Sequence, residues 1–290
     1  MLSKLVNNYD VEKIIITWDV SKKTFRNEIY DDYKANRSSS PDNFKIQINK
    51  LQSLLTKFNL PQVSLEGFEA DDVLGSLSKH FNNKNKKVTI VTGDRDSFQL
   101  ISSKTHVMYT KRGISDVEIF DSNVFTEKYQ INTNQYIEYL ALKGDKSDNI
   151  PGLPGVGEKT AISLLLKYKK ISNIYKNLDE LTPKLKSNFE EHKDLLNMSK
   201  ELATIKTDLD LEIPTTNLSE TIFLDNKVLE DSGNEISKYE LNRFLGERTN
   251  LNKNENKKKK LEIKLLDKNI DVLSIVFNFE NKNYYVNNNE

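Results

Sequence analysis

The sequence predicts an α/β domain, a mostly parallel sheet flanked by helices, followed by a helical part. Two observations carry this. Short apolar runs alternate with segments of helical period, and each run ends near an acidic residue. From 171 to about 246 the pattern is mostly helical.

In order, "MLSKLV" reads as helix and "IIITW" (14–18) as a buried strand ending at Asp19. Residues 20–40 are polar and basic, with Lys22, Lys23, Arg26, Lys34 and Arg37. Phe44, Ile48, Leu51, Leu55 and Phe58 recur at helical spacing, which makes 43–58 an amphipathic helix. "PQVSL" (61–65) is a short strand, and Ala70, Val73, Leu74, Leu77 and Phe81 mark a second helix. "KKVTIVTGD" (86–94) is a strand with a Gly-Asp stop. "THVMYT" and "VEIFD" read as a strand pair around Lys111-Arg112-Gly113. Thr133 opens a helix through Leu142, a glycine loop follows, and 158–168 is helical. The expected division is an α/β core at 1–142, a helical subdomain at 143–250, a basic linker at 251–260 and a β-rich segment at 261–290.

Composition narrows the chemistry. There is no cysteine, so disulfides, thiolate metal sites and cysteine nucleophiles are excluded. The three histidines, His80, His106 and His192, are far apart in sequence, which argues against a histidine zinc site. A metal would be held by oxygen, favouring Mg²⁺ or Mn²⁺. No apolar run has the length of a bilayer span and no signal-peptide layout opens the chain, so a cytoplasmic location and no membrane partner are expected.

Four acidic groups sit where strands end or helices begin: Asp19; Glu69, Asp71 and Asp72; Asp94 and Asp96; Asp145 and Asp148. Singly, each reads as a turn or capping residue. Gathered at one sheet edge they would repel by about 4 kcal/mol per pair at 4 Å with an effective dielectric of 20. Divalent cations would offset this, and so many carboxylates suit two ions bracketing a phosphodiester. The formal net charge is zero, but setting these carboxylates aside leaves the chain basic, as a nucleic-acid binder usually is.

The stretch "GDKSDNIPGLPGVGEKTA" (144–161) suggests phosphate binding. Glu158 interrupts the P-loop pattern between Gly157 and Lys159-Thr160, and the dinucleotide fingerprint lacks its third glycine. The remaining reading is a helix–hairpin–helix that grips a DNA backbone through Gly152, Gly155, Val156, Gly157, Lys159 and Thr160 without reading sequence. A ligand-free glycine turn is the plainer alternative.

"FEADDVLGSL", "TGDRDSFQL", "LKGDKSDNIPGLPGVGEKTA" and "WDVSKKTFRNEIYDDYKANR" (18–37) resemble the motifs of the 5′-nuclease domain of bacterial DNA polymerase I and of the flap endonuclease superfamily. The resemblance covers about residues 1–248. It implies a PIN-like core and two divalent ions held by Asp19, Glu69, Asp71, Asp72, Asp94, Asp96, Asp145 and Asp148. It implies a basic arch over the site from 20–40, with Arg26 on DNA, Lys34 and Arg37 on the scissile phosphate and Tyr33 stacked on a base. The expected substrate is DNA with a 5′ end or 5′ flap, an RNA primer on DNA included, cleaved in primer removal and repair by a monomer, with a separate DNA polymerase as a partner left open. The family opens with a strand and a D-G-x-x-x-x-x-R motif that this sequence does not contain. That strand is central in the family's sheet, so an incomplete sheet is expected, and a DNA-binding remnant without catalysis is the alternative function. The tail, "LEIKLL…DVLSIVFNF…KNYYV", resembles the opening strands of a proofreading-like exonuclease domain.

Overall fold

The computed structural model describes residues 2–38, 40–111, 116–221, 269–270 and 272–276. Helix α1 (Leu2–Asn8) leads into β1 (Asp10–Val11) and β2 (Ile14–Thr17). Among the described residues, the basic segment holds only a short helix, α2 (Phe25–Ile29), before α3 (Asp42–Lys57). Then come β3 (Gln62–Val63), α4 (Ala70–Asn83), β4 (Val88–Thr92), β5 (Thr105–Thr110), β6 (Val117–Phe120) and α5 (Ser122–Tyr129). The helical part comprises α6 (Tyr136–Lys143), α7 (Glu158–Tyr168), α8 (Ile171–Lys176), α9 (Pro183–Glu191) and α10 (Lys193–Ala203). After Ala203 the chain runs without regular structure to a 3₁₀ turn at Leu218–Glu220, and β7 (Asn269–Ile270) and β8 (Val272–Val276) complete the described elements.

The main sheet has the order β3-β2-β8-β4-β5-β6, parallel except for β6, which runs antiparallel to β5. Period-2 alternation distributes its side chains between two cores. Ile15, Ile90 and Val107 join Val73, Leu74 and Leu77 of α4 on one face. Ile14, Ile16, Val91 and Met108 join Leu5 of α1 and Leu54 and Leu55 of α3 on the other. Because β2, β3 and β4 are parallel, their carboxyl ends share one edge, the edge at which ligands bind in such sheets.

Four sequence expectations change. The sheet expected to be incomplete has a central strand, supplied by residues 272–276. The segment expected to open a further domain instead pairs with β1, β2 and β4, because an apolar run can satisfy the open ladders of two buried strands. Within the stretch expected to be mostly helical, 204–221 holds only a 3₁₀ turn among the described residues, and 222–246, the 251–260 linker and the Arg112-Gly113 turn lie outside them. The helix predicted from Thr133 starts as a 3₁₀ turn capped by Asn132 and becomes α-helical at Tyr136. No described helix is long and apolar enough to cross a membrane.

Candidate metal and nucleic-acid site

Asp19 follows β2, Glu69 caps α4, Asp94 follows β4, and Asp145 and Asp148 lie in the loop after α6. Asp19 Oδ1 accepts from the Ala70 amide at 2.6 Å, which ties the end of β2 to the start of α4. Asp94 Oδ1 accepts from the Asp96 amide at 2.8 Å, so the Asp94–Asp96 turn is fixed by its own side chain. Asp145 does the same for Ser147, accepting from its amide and hydroxyl, each at 2.7 Å. Burial, then the neighbouring Asp94, Asp148 and Asp145, holds the Asp96 carboxyl well above its usual range. Four of the predicted carboxylates therefore feel one another.

The turn at 31–37 is docked on the loop at 145–149. The Lys34 amide donates to the Asp148 carbonyl at 2.9 Å. Asn36 reaches the Lys146 carbonyl and Asn149 the Asp32 carbonyl, each at 2.7 Å. Lys34 has φ 57°, a left-handed conformation that is costly for a lysine and that aims its side chain inward. Its Nζ lies 2.9 Å from both oxygens of Glu69 and 3.6 Å from Asp148. Arg37 pairs with Asp148. A cavity of about 470 Å³ opens here, lined by Asp19, Tyr33, Lys34, Arg37 and Glu69 among others.

Tyr33 differs from its expected role. It is 4% exposed, and its hydroxyl lies 3.2 Å from Asp148 Oδ2 and 3.3 Å from Glu69 Oε2. Its ring is packed in the core and has no open face for a base. Burial first, opposed by Lys34 and helped by Glu69 and Asp148, pushes the phenol well above its usual range, so it stays a hydrogen-bond donor.

Arg26 and Asp72 are also reassigned. Arg26 is 2% exposed and Asp72 is 0% exposed. They form a two-pronged pair at 2.6 and 2.8 Å, and Arg26 also donates to the Leu202 and Thr204 carbonyls at 2.8 and 2.9 Å. Asp72 further accepts from the amides of Glu69 at 3.1 Å and Lys206 at 2.8 Å. With its oxygens so engaged, Asp72 is a structural anchor, and Arg26 has no surface for DNA. Asp71, beside it on α4, is buried.

The glycine stretch divides into two parts. Gly144 and Gly152 have φ of 74° and 68°, and an added Cβ on Gly152 would come within 2.7 Å of the Lys143 carbonyl carbon. The Gly152 amide donates to Ser199 Oγ at 3.1 Å. These two glycines thus close a tight backbone crossing bridged at Asp145 and Ile150, which corrects the expectation that Gly152 touches DNA. Val156 is buried and its amide donates to the Leu153 carbonyl at 3.0 Å, so it too is turned away from a ligand. Gly155, Gly157 and Lys159 are exposed at the start of α7, with Thr160 half-buried.

The donor set at the sheet edge is all oxygen, which fits a hard divalent cation. Among the described residues, however, no three acidic or histidine side chains converge as an ion would need. Lys34 and Arg37 supply the opposing charge to Glu69 and Asp148 in this arrangement. The sequence did not signal this inward pairing; the left-handed Lys34 is its structural mark.

Comparison with known proteins gives three findings. Residues 1–130 match the model of the 5′-3′ exonuclease N-terminal resolvase-like domain, and 131–223 that of the 5′-3′ exonuclease C-terminal SAM fold. DNA polymerase I of Streptococcus pneumoniae serotype 4 is 40% identical over 208 residues, 71% of this chain and 24% of that protein. DNA polymerase I of Lactococcus lactis subsp. lactis is 38% identical over 231 residues, 79% of this chain and 26% of that protein. The chain thus spans about a quarter of the length of such relatives. Among solved structures, T5 D15 protein co-crystallised with metal ions aligns with TM-score 0.56 and 22% identity over 67% of this chain and 76% of that one. A complex of bacteriophage T5 D15 flap endonuclease with DNA and metal ions aligns with TM-score 0.56 and 22% identity, over 67% and 75% of the two chains. The likeness to the T5 protein is one of fold.

Proposed function

Because the chain belongs to the 5′-3′ exonuclease family, we propose that it hydrolyses DNA phosphodiesters at a 5′ end or 5′ flap with the help of divalent cations. The observation that carries this reading is the placement of Asp19 and Glu69 on one cavity with Lys34 and Arg37, beside Asp96, which feels Asp94, Asp145 and Asp148. These carboxylates would hold Mg²⁺ or Mn²⁺, two ions if both halves of the cluster are used. Such ions lower the pKa of an attacking water and stabilise the leaving oxygen.

The chain's own residues supply the rest. Lys34 and Arg37 are paired with Glu69 and Asp148, and on a phosphate bound beside these carboxylates they would stabilise developing charge. Gly155, Gly157 and Lys159 would hold a duplex backbone at the α7 N-terminus. The products would be a 3′-hydroxyl and a 5′-phosphate. The proposed role is primer removal and repair, by a cytoplasmic monomer, beside a DNA polymerase.

One observation favours a second reading, a DNA-binding protein without catalysis: no three described acidic side chains converge. Cleavage of a labelled 5′-flap DNA by the purified chain, with and without Mg²⁺, separates the two. Metal-dependent cleavage lost in Asp94→Asn supports the nuclease. Flap binding without cleavage at any Mg²⁺ or Mn²⁺ level supports the second reading.

A further inference from the structure

The strands that end at Asp19 and Asp94 do not pair with each other. β2 and β4 are joined through β8, with Ile14–Thr17 aligned to Leu273–Val276 and Val88–Val91 to Val272–Ile275. β2 and β4 are buried along their whole length, so neither could satisfy an open ladder with water. The two pairings share one register: Asp10 and Val11 align with Asn269 and Ile270 at the same offset as Ile14–Thr17 with Leu273–Val276. This segment lies beyond residue 223, where the family match ends.

We propose that β8, residues 272–276, acts as a clasp strand whose insertion sets the spacing of the carboxylate site, making metal binding conditional on a segment outside the family match. With adjacent strands about 4.8 Å apart, β2 and β4 are held roughly 10 Å apart by the strand between them. If they closed on each other, Asp19 would shift against Asp94 by roughly 5 Å, more than the separation of two catalytic ions. The functional half of this proposal rests on the nuclease reading, and the structural half does not.

The chain has no cysteine, so an introduced pair meets no other thiol within the chain. Ile15 and Ser274 are register partners. In the 290-residue chain, Ile15→Cys with Ser274→Cys should oxidise to an intramolecular disulfide, since the Cα spacing of about 4.8 Å is within reach. Thr17→Cys with Leu273→Cys, three positions out of register and about 10 Å apart along the strand, should not. Failure of the first pair, equal reaction of both, or a cross-linked dimer overturns the clasp. Ser274→Pro, which breaks the central ladder, should weaken Mn²⁺ binding about tenfold or more, and unchanged Mn²⁺ affinity would overturn the conditional site. If the disulfide forms and the chain binds Mn²⁺ but cleaves no flap, the clasp stands and the nuclease reading falls.

Discussion

Replacing Arg26 by alanine should destabilise the fold and leave DNA affinity nearly unchanged. The Arg26 and Asp72 side chains are 3% and 0% exposed. The substitution removes two hydrogen bonds from a buried carboxylate and leaves the Leu202 and Thr204 carbonyls without their donor. Breaking a buried ion pair from one side costs about 3–5 kcal/mol. At about 2–4 °C per kcal/mol for a domain of this size, Tm should fall by roughly 6–20 °C. Thermal melts followed by far-UV circular dichroism measure this. Arg26→Met combined with Asp72→Leu should recover most of the loss, because no charge is then left buried alone. Flap affinity, measured by anisotropy well below both melting temperatures, should change by less than about twofold, under 1 kcal/mol. A Tm within about 2 °C of the parent together with a tenfold weaker complex would refute the reasoning and return Arg26 to the DNA surface.

Lys34→Ala should slow flap cleavage by about 10²-fold or more while Kd moves by less than about threefold; parallel losses would make Lys34 a plain phosphate contact. Gly152→Ala should cost about 1–3 kcal/mol from its φ of 68° alone, with the overlap on Lys143 and Gly144 added. Gly157→Ala has open space, so it should alter stability by under about 1 kcal/mol and weaken duplex binding; unchanged binding would remove the hairpin from the DNA interface. Burial first, and then Lys87, lowers the His106 pKa, opposed by Asp121, so protonation favours the unfolded chain. Stability should therefore drop as pH falls from about 6.5 through the lower folded-state value, and His106→Gln should flatten that slope in urea melts taken on either side.

Much of the architecture was legible because its signals are local. The strand at 14–17 and the helix of Ala70, Val73, Leu74 and Leu77 follow from burial periodicity, and the acidic residues after the strands follow from parallel order. Pairings between distant residues were not legible. Arg26 in a basic run looks like a surface cation, and only the fold brings Asp72, Leu202 and Thr204 around it. Tyr33 and Val156 likewise sit in motif-like positions but are buried. The short run "VLSIV" carries no mark of its register, so its place between β2 and β4 could not be read from periodicity.

The position of β8 also governs the order in which the molecule can assemble during synthesis. The helical elements of 136–203 pack mainly on one another and can assemble once α10 has emerged. The sheet cannot: β2 must wait for a strand translated near residue 275, after every other strand of the sheet has been made. Until then two apolar edges remain open, a state in which chaperone binding or mispairing between nascent chains competes with closure. The rate at which the chain becomes native should accordingly be set by this last, most sequence-distant contact, with the helical part protected early and the sheet late.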